Sequence, residues 1–287
     1  MNRINLLLFL ILTLCFAWAI SHLRFSPFNI GVGEVIAKEN KNYINSQGIE
    51  ITVIYDNYLF KPGLKTSWGF SCIVRGTEKT ILFDTGGNGS ILLSNMKKLE
   101  IDPQEIDLVV LSHIHGDHVG GLDDFLGQNA EVDVYLPQLF PRNFKEKVRH
   151  YGANVFEVQE NIKICGDTYS TGVLGMGIKE QALIMPTEQG IIIITGCAHP
   201  GIVNIIKKAK HLLKENVFLV TGGFHLMGQS QGNIEKIISE FRNLGIRFVG
   251  PCHCSGDTTR QLFQKEYSDY YINIGVGKVI YYNELLE

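Results

Sequence analysis

No block of lysine or arginine runs through this chain. Its 26 basic and 29 acidic residues leave a net charge of −3 over 287 residues, and the lysine pairs Lys97-Lys98 and Lys207-Lys208 stand alone. Binding to a phosphate backbone draws on a dense basic surface. The sequence therefore makes no electrostatic case for a nucleic-acid partner, and those pairs read as solvated helix faces. Cysteine is scarce as well: outside the first two dozen residues only Cys72, Cys165, Cys197, Cys252 and Cys254 occur. An odd number at irregular spacing does not read as a disulfide framework, which leaves free thiols or metal contacts. There is no short-period repeat and no low-complexity stretch. What is present, 45% hydrophobic and 19% charged residues, suffices for one large or two small domains with a sizeable core.

The N-terminus differs from the rest. Arg3 precedes an uncharged stretch from Ile4 to Leu23, densest in apolar residues from Leu6 to Ile20 and carrying Ala17-Trp18-Ala19. A basic n-region, an apolar h-region and an A-x-A site describe a signal peptide. About 20 such residues also just span a bilayer, so an uncleaved anchor is the alternative. Either way residues 1–23 predict export across the inner membrane. The domain that follows then lies outside the cytoplasm and meets the membrane only through that segment. Cys15 follows Thr13-Leu14 rather than a small residue, which argues against lipidation. Residues 24–48 mix Pro, Gly, Asn, Ser and scattered charges without a period and read as a linker or irregular lead-in. Residues 49–287 form the domain proper.

The most informative stretch is residues 108–121, Leu-Val-Val-Leu-Ser-His-Ile-His-Gly-Asp-His-Val-Gly-Gly. Leu108 to Leu111 is short, apolar and β-branched, and small polar residues follow at once, so it reads as a buried strand. It ends in four candidate metal ligands: His113, His115, Asp117 and His118. Alternate side chains of an extended segment share a face, so His113 and His115 can point at one ion. Gly116 lets the backbone turn sharply, aiming Asp117 and His118 at a second. Imidazole with carboxylate suits zinc, iron or manganese better than calcium or magnesium. A single histidine in a loop is usually no ligand, whereas this H-x-H-x-D-H order at a strand end is a specific signal.

Around this turn the hydrophobic pattern predicts strands at 51–55, 70–74 and 80–83, a helix at 90–99, a strand at 132–136, a helix at 142–151, and strands at 155–158 and 162–165. A hairpin at 182–185 and 191–195 follows. Helices at 201–214, 233–244 and 257–265 then alternate with strands at 217–221, 247–250 and 271–282. Sheets from both halves with helices outside make an α/β fold, a four-layer αββα sandwich, not two independent domains.

Three of the later strands each end in a histidine. Four consecutive isoleucines lead to Thr-Gly-Cys-Ala-His-Pro-Gly-Ile-Val-Asn, with Cys197 and His199, where Pro200 suits a first helical turn. His225 follows in Thr-Gly-Gly-Phe-His-Leu and His253 in Gly-Pro-Cys-His-Cys-Ser-Gly. Successive α/β units gather such ends at one sheet edge, where these folds place their sites. Alternation sets His253 opposite Cys252 and Cys254, so the two cysteines read as packing residues. Asp84, in Phe-Asp-Thr-Gly, also ends a strand, and by itself it reads equally as the opener of a glycine turn. His150 lies on a basic helix and reads as solvated.

The series Phe-Asp-Thr-Gly, His-Ile-His-Gly-Asp-His-Val-Gly-Gly, Gly-Cys-Ala-His-Pro-Gly-Ile-Val-Asn, Gly-Gly-Phe-His-Leu and His-Cys-Ser-Gly resembles the metallo-β-lactamase superfamily of metallo-hydrolases, over roughly residues 50–280. Within it, the chain looks like the branch of dihydropterin–ribofuranosylaminobenzene phosphate synthases. The resemblance implies the metallo-β-lactamase αββα sandwich and two divalent transition-metal ions, zinc ahead of iron or manganese. It makes Asp84 a carboxylate that orients the ligand loop, as partners behind ligating histidines do. The wider superfamily brings another ligating histidine and then a bridging aspartate in a Gly-Asp turn. Here Cys197 follows Gly196 instead, so His199 replaces the missing ligand and Cys197 lies near the bridge. The expected sets are His113, His115 and His199 for one ion and Asp117, His118 and His253 for the other. Cys197 and His225 are further ligand or pocket residues, and Asp117 also orients the attacking hydroxide.

Three functions follow. Two metals lower the pKa of a shared water and clamp an oxyanion, which predicts hydrolysis of a small ester, phosphoester or lactone. The branch implies instead a transferase that joins a dihydropterin diphosphate to an aminobenzene riboside phosphate and releases diphosphate, yet those intermediates are cytosolic while the N-terminus predicts export. A non-catalytic metal-binding or sensor role is the third, marked by a coordinatively closed site. A flavin-linked redox role, also found in the superfamily, needs a flavodoxin-like domain for which the chain has no room. The partner is in each case a small molecule.

Overall fold

The computed structural model describes residues 48–287. The N-terminal segment and nearly all of the lead-in read from the sequence lie outside the described residues. Among the described residues, no helix is long and apolar enough to cross a membrane.

The strands are β1 (Glu50–Tyr55), β2 (Ser71–Arg75), β3 (Ile81–Phe83), β4 (Leu108–Val110), β5 (Asp133–Pro137), β6 (Asn154–Val158), β7 (Ile162–Cys165), β8 (Thr168–Ser170), β9 (Leu183–Thr187), β10 (Gly190–Thr195), β11 (Val217–Gly223), β12 (Phe248–Cys252) and β13 (Val279–Tyr281). Alternation within single strands sets which way each sheet faces. Ile81 and Phe83 of β3 and Leu108 and Val110 of β4 share one buried cluster, while Leu82 and Val109 between them belong to another. With a side-chain period of two, both faces of this sheet are covered.

The first cluster also takes Leu183 and Met185 from β9 and Ile192 and Ile194 from β10, so it lies between two sheets. One sheet has the order β13-β1-β2-β3-β4-β5-β6 and the other β12-β11-β10-β9-β8-β7. Helices cover the outer faces. On the first sheet, α1 (Gly89–Lys98) buries Leu92 and Met96, and its N-cap Asn88 accepts from the Ile91 N–H. The short α2 (Gly116–Val119) and α3 (Leu122–Leu126), then α4 (Arg142–Tyr151), complete that layer. On the second sheet lie α5 (Ile202–Leu213), α6 (Gln231–Asn243) and α7 (Asp257–Tyr267). There Phe224, Phe241 and Phe263 meet with ring centroids 5.1, 5.6 and 5.7 Å apart. The expected four-layer αββα sandwich is the fold.

Two local expectations need correction. The last strand is not continuous over 271–282: Tyr271 bridges to Val249 in one sheet, Val276 bridges to Leu59, and only β13 pairs with β1 in the other. Gly277, at φ 87, breaks the run, so this segment passes from sheet to sheet. Strand β8 has no counterpart in the prediction, because three residues give too short a period to detect. The turn expected at Gly116 is made by helix entry, from an extended His115 at φ -62 and ψ 143. Gly116 starts α2, and the region after β4 is helical.

Strands β3 to β6 run parallel, as do β10, β11 and β12. Their carboxyl ends carry the candidate residues, as expected of open α/β sheets.

Candidate metal centre

Asp84 stands at the end of β3 and organises the turn after β4. Its Oδ1 accepts the Ser112 backbone N–H, and its Oδ2 accepts both the Ser112 hydroxyl and His118 Nδ1–H, each at 2.7 Å. The Ser112 oxygen in turn accepts from His113 Nδ1 at 2.9 Å. One fully buried carboxylate thereby fixes the proton on Nδ1 of two histidines and leaves both Nε2 lone pairs to bind a ligand. Residue 196 has to be glycine for this arrangement, since a Cβ there would overlap the Ser112 hydroxyl.

His253 is held the same way from another element. Its Nδ1 donates to Asn57 Oδ1 at 3.0 Å, and Asn57 Nδ2 donates back to the His253 carbonyl at 3.3 Å. Its Nε2 then lies 3.2 Å from Asp117 Oδ2 yet is buried without a hydrogen-bond partner. The backbone needed for this aim is unusual: Asp84 (φ 54), Ala198 (φ 63), His225 (φ 54) and His253 (φ 49) are all left-handed. Such conformations cost about 1–3 kcal/mol each for residues other than glycine and gather at functional sites.

Glu180 was not singled out by sequence reasoning. It is fully buried and accepts the N–H groups of Cys197, Ala198 and His199 at 2.8–2.9 Å. This carboxylate is the clamp that shapes the loop after β10. No motif marks it, because its partners are backbone atoms far along the chain. Asn57 was missed for the same reason.

Three groups of potential ligand atoms result, each with all atoms within 4.8 Å: His113, His115 and His199; Asp117, His118, Cys197 and His253; and Cys197, His225 and Cys254. The structure thus brings together every residue of both expected sets and places Cys197 against the second. Two expectations fail. Cys254 is not merely a packing residue: a short 3-10 turn follows β12 at His253–Ser255, so strand alternation no longer applies and the Cys254 thiol turns toward Cys197 and His225. Pro200 precedes α5, whose N-cap is Gly201, rather than opening its first turn. His150 is exposed, as read from its helix.

The electrostatics follow from burial and crowding. Burial, then the neighbouring His118, His199 and His115 rings, push the His113 pKa far down, and burial with His225 and His115 lowers that of His199 to about 4. Both imidazoles are therefore neutral at pH 7. Burial pulls Asp117 up, but His253 and His118 outweigh it and hold the carboxyl well below the usual range. Burial disfavours a charged His118 as well, and the Asp84 carboxylate reverses that. Between the two thiols, their mutual hydrogen bond raises Cys197 and lowers Cys254.

These donors fit metal ions. His113 Nε2 and His199 Nε2 lie 3.1 and 3.2 Å from His115 Nδ1, close to the ~3.4 Å between neighbouring donors of a tetrahedral zinc shell with metal–nitrogen bonds of about 2.0–2.1 Å. The orphaned His253 Nε2 beside Asp117 Oδ2 leaves a buried lone pair that an ion would satisfy.

Residues 69–204 match the metallo-β-lactamase superfamily. Over those residues the chain carries a metallo-β-lactamase domain. This metallo-β-lactamase-fold protein is 29% identical over 250 residues to the 7,8-dihydropterin-6-methyl-4-(β-D-ribofuranosyl)-aminobenzene-5'-phosphate synthase of Methanocaldococcus jannaschii, covering 71% of this chain and 85% of the relative. Its fold resembles the crystal structure of a metal-dependent hydrolase of the β-lactamase superfamily, with a TM-score of 0.68 and 28% identity over 81% of this chain and 98% of that one. The metallo-β-lactamase fold protein YhfI of Bacillus subtilis shares the fold at a TM-score of 0.61 and 15% identity, over 81% of this chain and 99% of that one.

Proposed function

We propose that this metallo-β-lactamase-fold protein is a hydrolase with a two-ion centre, acting on a small ester, phosphoester or lactone. One observation carries the reading: two donor sets, His113–His115–His199 and Asp117–His118–His253, stand side by side, with the His113 and His118 rings 4.2 Å apart. When bound, a pair of divalent ions, zinc first among them, supplies an activated water and a clamp for developing negative charge.

The chain's own residues supply the rest. Asp84 and Asn57 hold three imidazoles in one tautomer, so no reorganisation is needed when substrate arrives. Asp117, partly exposed at the edge of the cluster, accepts a hydrogen bond from an attacking water and orients it. Trp68, 45% exposed, tilts over His253 at 4.7 Å and forms an apolar wall that sheds water from one side of the centre. The apolar stretch at residues 4–23 supports hydrolysis too, since an exported domain does not meet cytosolic pterin intermediates.

The 29% identity to the methanogen synthase favours a second reading, a transferase releasing diphosphate. The two differ in what attacks. Chelation is expected to abolish turnover of a phosphoester or lactone panel, and zinc or manganese to restore it. In heavy-oxygen water the hydrolase places one solvent oxygen in the product. Metal-restored turnover without solvent oxygen, dependent on a second organic substrate, selects the transferase.

Asn57 provides a finer test. Asn57→Ala frees the His253 ring and is expected to weaken metal binding about 10–100-fold in competition with a chromogenic chelator, while circular dichroism stays unchanged. Unaltered affinity removes Asn57 from the list of positioning residues.

A further inference from the structure

Cys197 belongs to two donor groups at once. Besides its place beside Asp117, His118 and His253, its sulfur lies within 4.8 Å of the ligand atoms of His225 and Cys254. These three residues follow three parallel neighbours, β10, β11 and β12. We propose that Cys197, His225 and Cys254 form a third, sulfur-rich metal site beside the two-ion centre, one that takes zinc.

The donor chemistry selects the ion. Two thiols and an imidazole are the set that zinc holds and that calcium, magnesium and manganese do not. A tetrahedral zinc shell with bonds of about 2.3 Å to sulfur and 2.0–2.1 Å to nitrogen sets its donors ~3.5–3.8 Å apart, inside the 4.8 Å that bounds these three atoms.

The backbone is built to keep them there. Residue 223 has to be glycine, because a Cβ there would stand 2.3 Å from the Gly196 carbonyl oxygen, 2.7 Å from the Cys254 sulfur and 3.2 Å from the Cys197 Cα. A side chain at that point would wedge the two cysteines apart. The Cys254 carbonyl accepts the Met227 N–H at 3.1 Å, which ties the His225 loop to the turn after β12. His225 and His253 are both left-handed, at φ 54 and φ 49, and so turn His225 and Cys254 toward Cys197. Both cysteines are free and buried, whereas His225 is exposed. An ion therefore enters from the His225 side, and a fourth position stays open to solvent or substrate. The Cys197 sulfur also lies 3.1 Å from His118 Nε2, so this site adjoins the second ion of the pair through a single shared thiolate.

The test uses the full-length protein, kept reduced with a phosphine, stripped by a chelator and titrated with cobalt(II) in place of zinc. Three equivalents are expected to bind, with sulfur-to-cobalt charge-transfer absorption. Cys254→Ser is expected to lose one equivalent and about half of that absorption, since one of two sulfur donors is gone. His225→Ala removes an exposed side chain without disturbing the core, and is expected to weaken one equivalent by about tenfold or more. His113→Ala is expected to lose a different equivalent and keep the sulfur absorption. A wild type that takes two equivalents, unchanged in Cys254→Ser, ends this proposal and leaves the two-ion reading standing. A wild type that takes only the sulfur-bound equivalent does the reverse. A Cys197–Cys254 disulfide that persists in the reductant also overturns it.

Discussion

His118→Ala is expected to empty the second ion position and to lower turnover about a thousandfold or more. No other imidazole is tied to as many parts of the centre. Its Nδ1 binds Asp84 at 2.7 Å, and its Nε2 lies 3.1 Å from the Cys197 sulfur and 3.6 Å from Asp117. The ring also sits 4.2 Å from that of His113 and 5.0 Å from that of His253. Removing it leaves the buried Asp84 carboxylate held only by Ser112, which costs about 3 kcal/mol or more of stability. Elemental analysis and a urea titration read the two effects separately. A His118→Ala protein that keeps its full metal content contradicts the ligand assignment, whatever its activity.

Glu180→Ala is expected to be the most destabilising change near the site. Three N–H groups, those of the buried Cys197 and Ala198 and the half-buried His199, lose their acceptor. At about 1–3 kcal/mol for each orphaned donor, the loss is about 3–9 kcal/mol, or a melting temperature lower by about 10 °C or more. Burial raises the Glu180 pKa and the three N–H groups oppose it, so the native carboxylate depends on that loop as much as the loop depends on it. Glu180→Gln keeps one carbonyl oxygen for Cys197 and Ala198 but turns an amide N–H₂ toward the His199 N–H. It is expected to melt between the wild type and Glu180→Ala, and to lose metal from the His113–His115–His199 set first. Thermal unfolding of the two variants, with metal content measured alongside, checks the assignment. A Glu180→Ala protein that melts with the wild type shows that water replaces the clamp.

Much of this protein was legible in one dimension. Short apolar runs marked β3, β4 and β10, and strand–helix alternation from residue 191 onward marked the parallel half. Strand ends followed by His113–His118, His199, His225 and His253 marked the site edge, because parallel strands deliver their carboxyl ends to one side. Where the reading failed, a local rule met a tertiary exception. Alternation misplaced Cys254 because the chain leaves the strand at Cys252, and a continuous final strand was expected because two sheets share that segment.

The sequence by itself determined the donor types and the strand ends that carry them. It did so because both are properties of residues close together along the chain. The tertiary structure alone decided which donors share an ion-sized space and which carboxylate or amide stands behind each. Asn57 is 196 residues from His253 and Glu180 is 17 from Cys197, and no short-range pattern records a hydrogen bond across such a span. The meeting of Cys197, His225 and Cys254 is of the same kind: three separate strands, turned by left-handed residues and made room for by one glycine, place their ends together only once both sheets have formed.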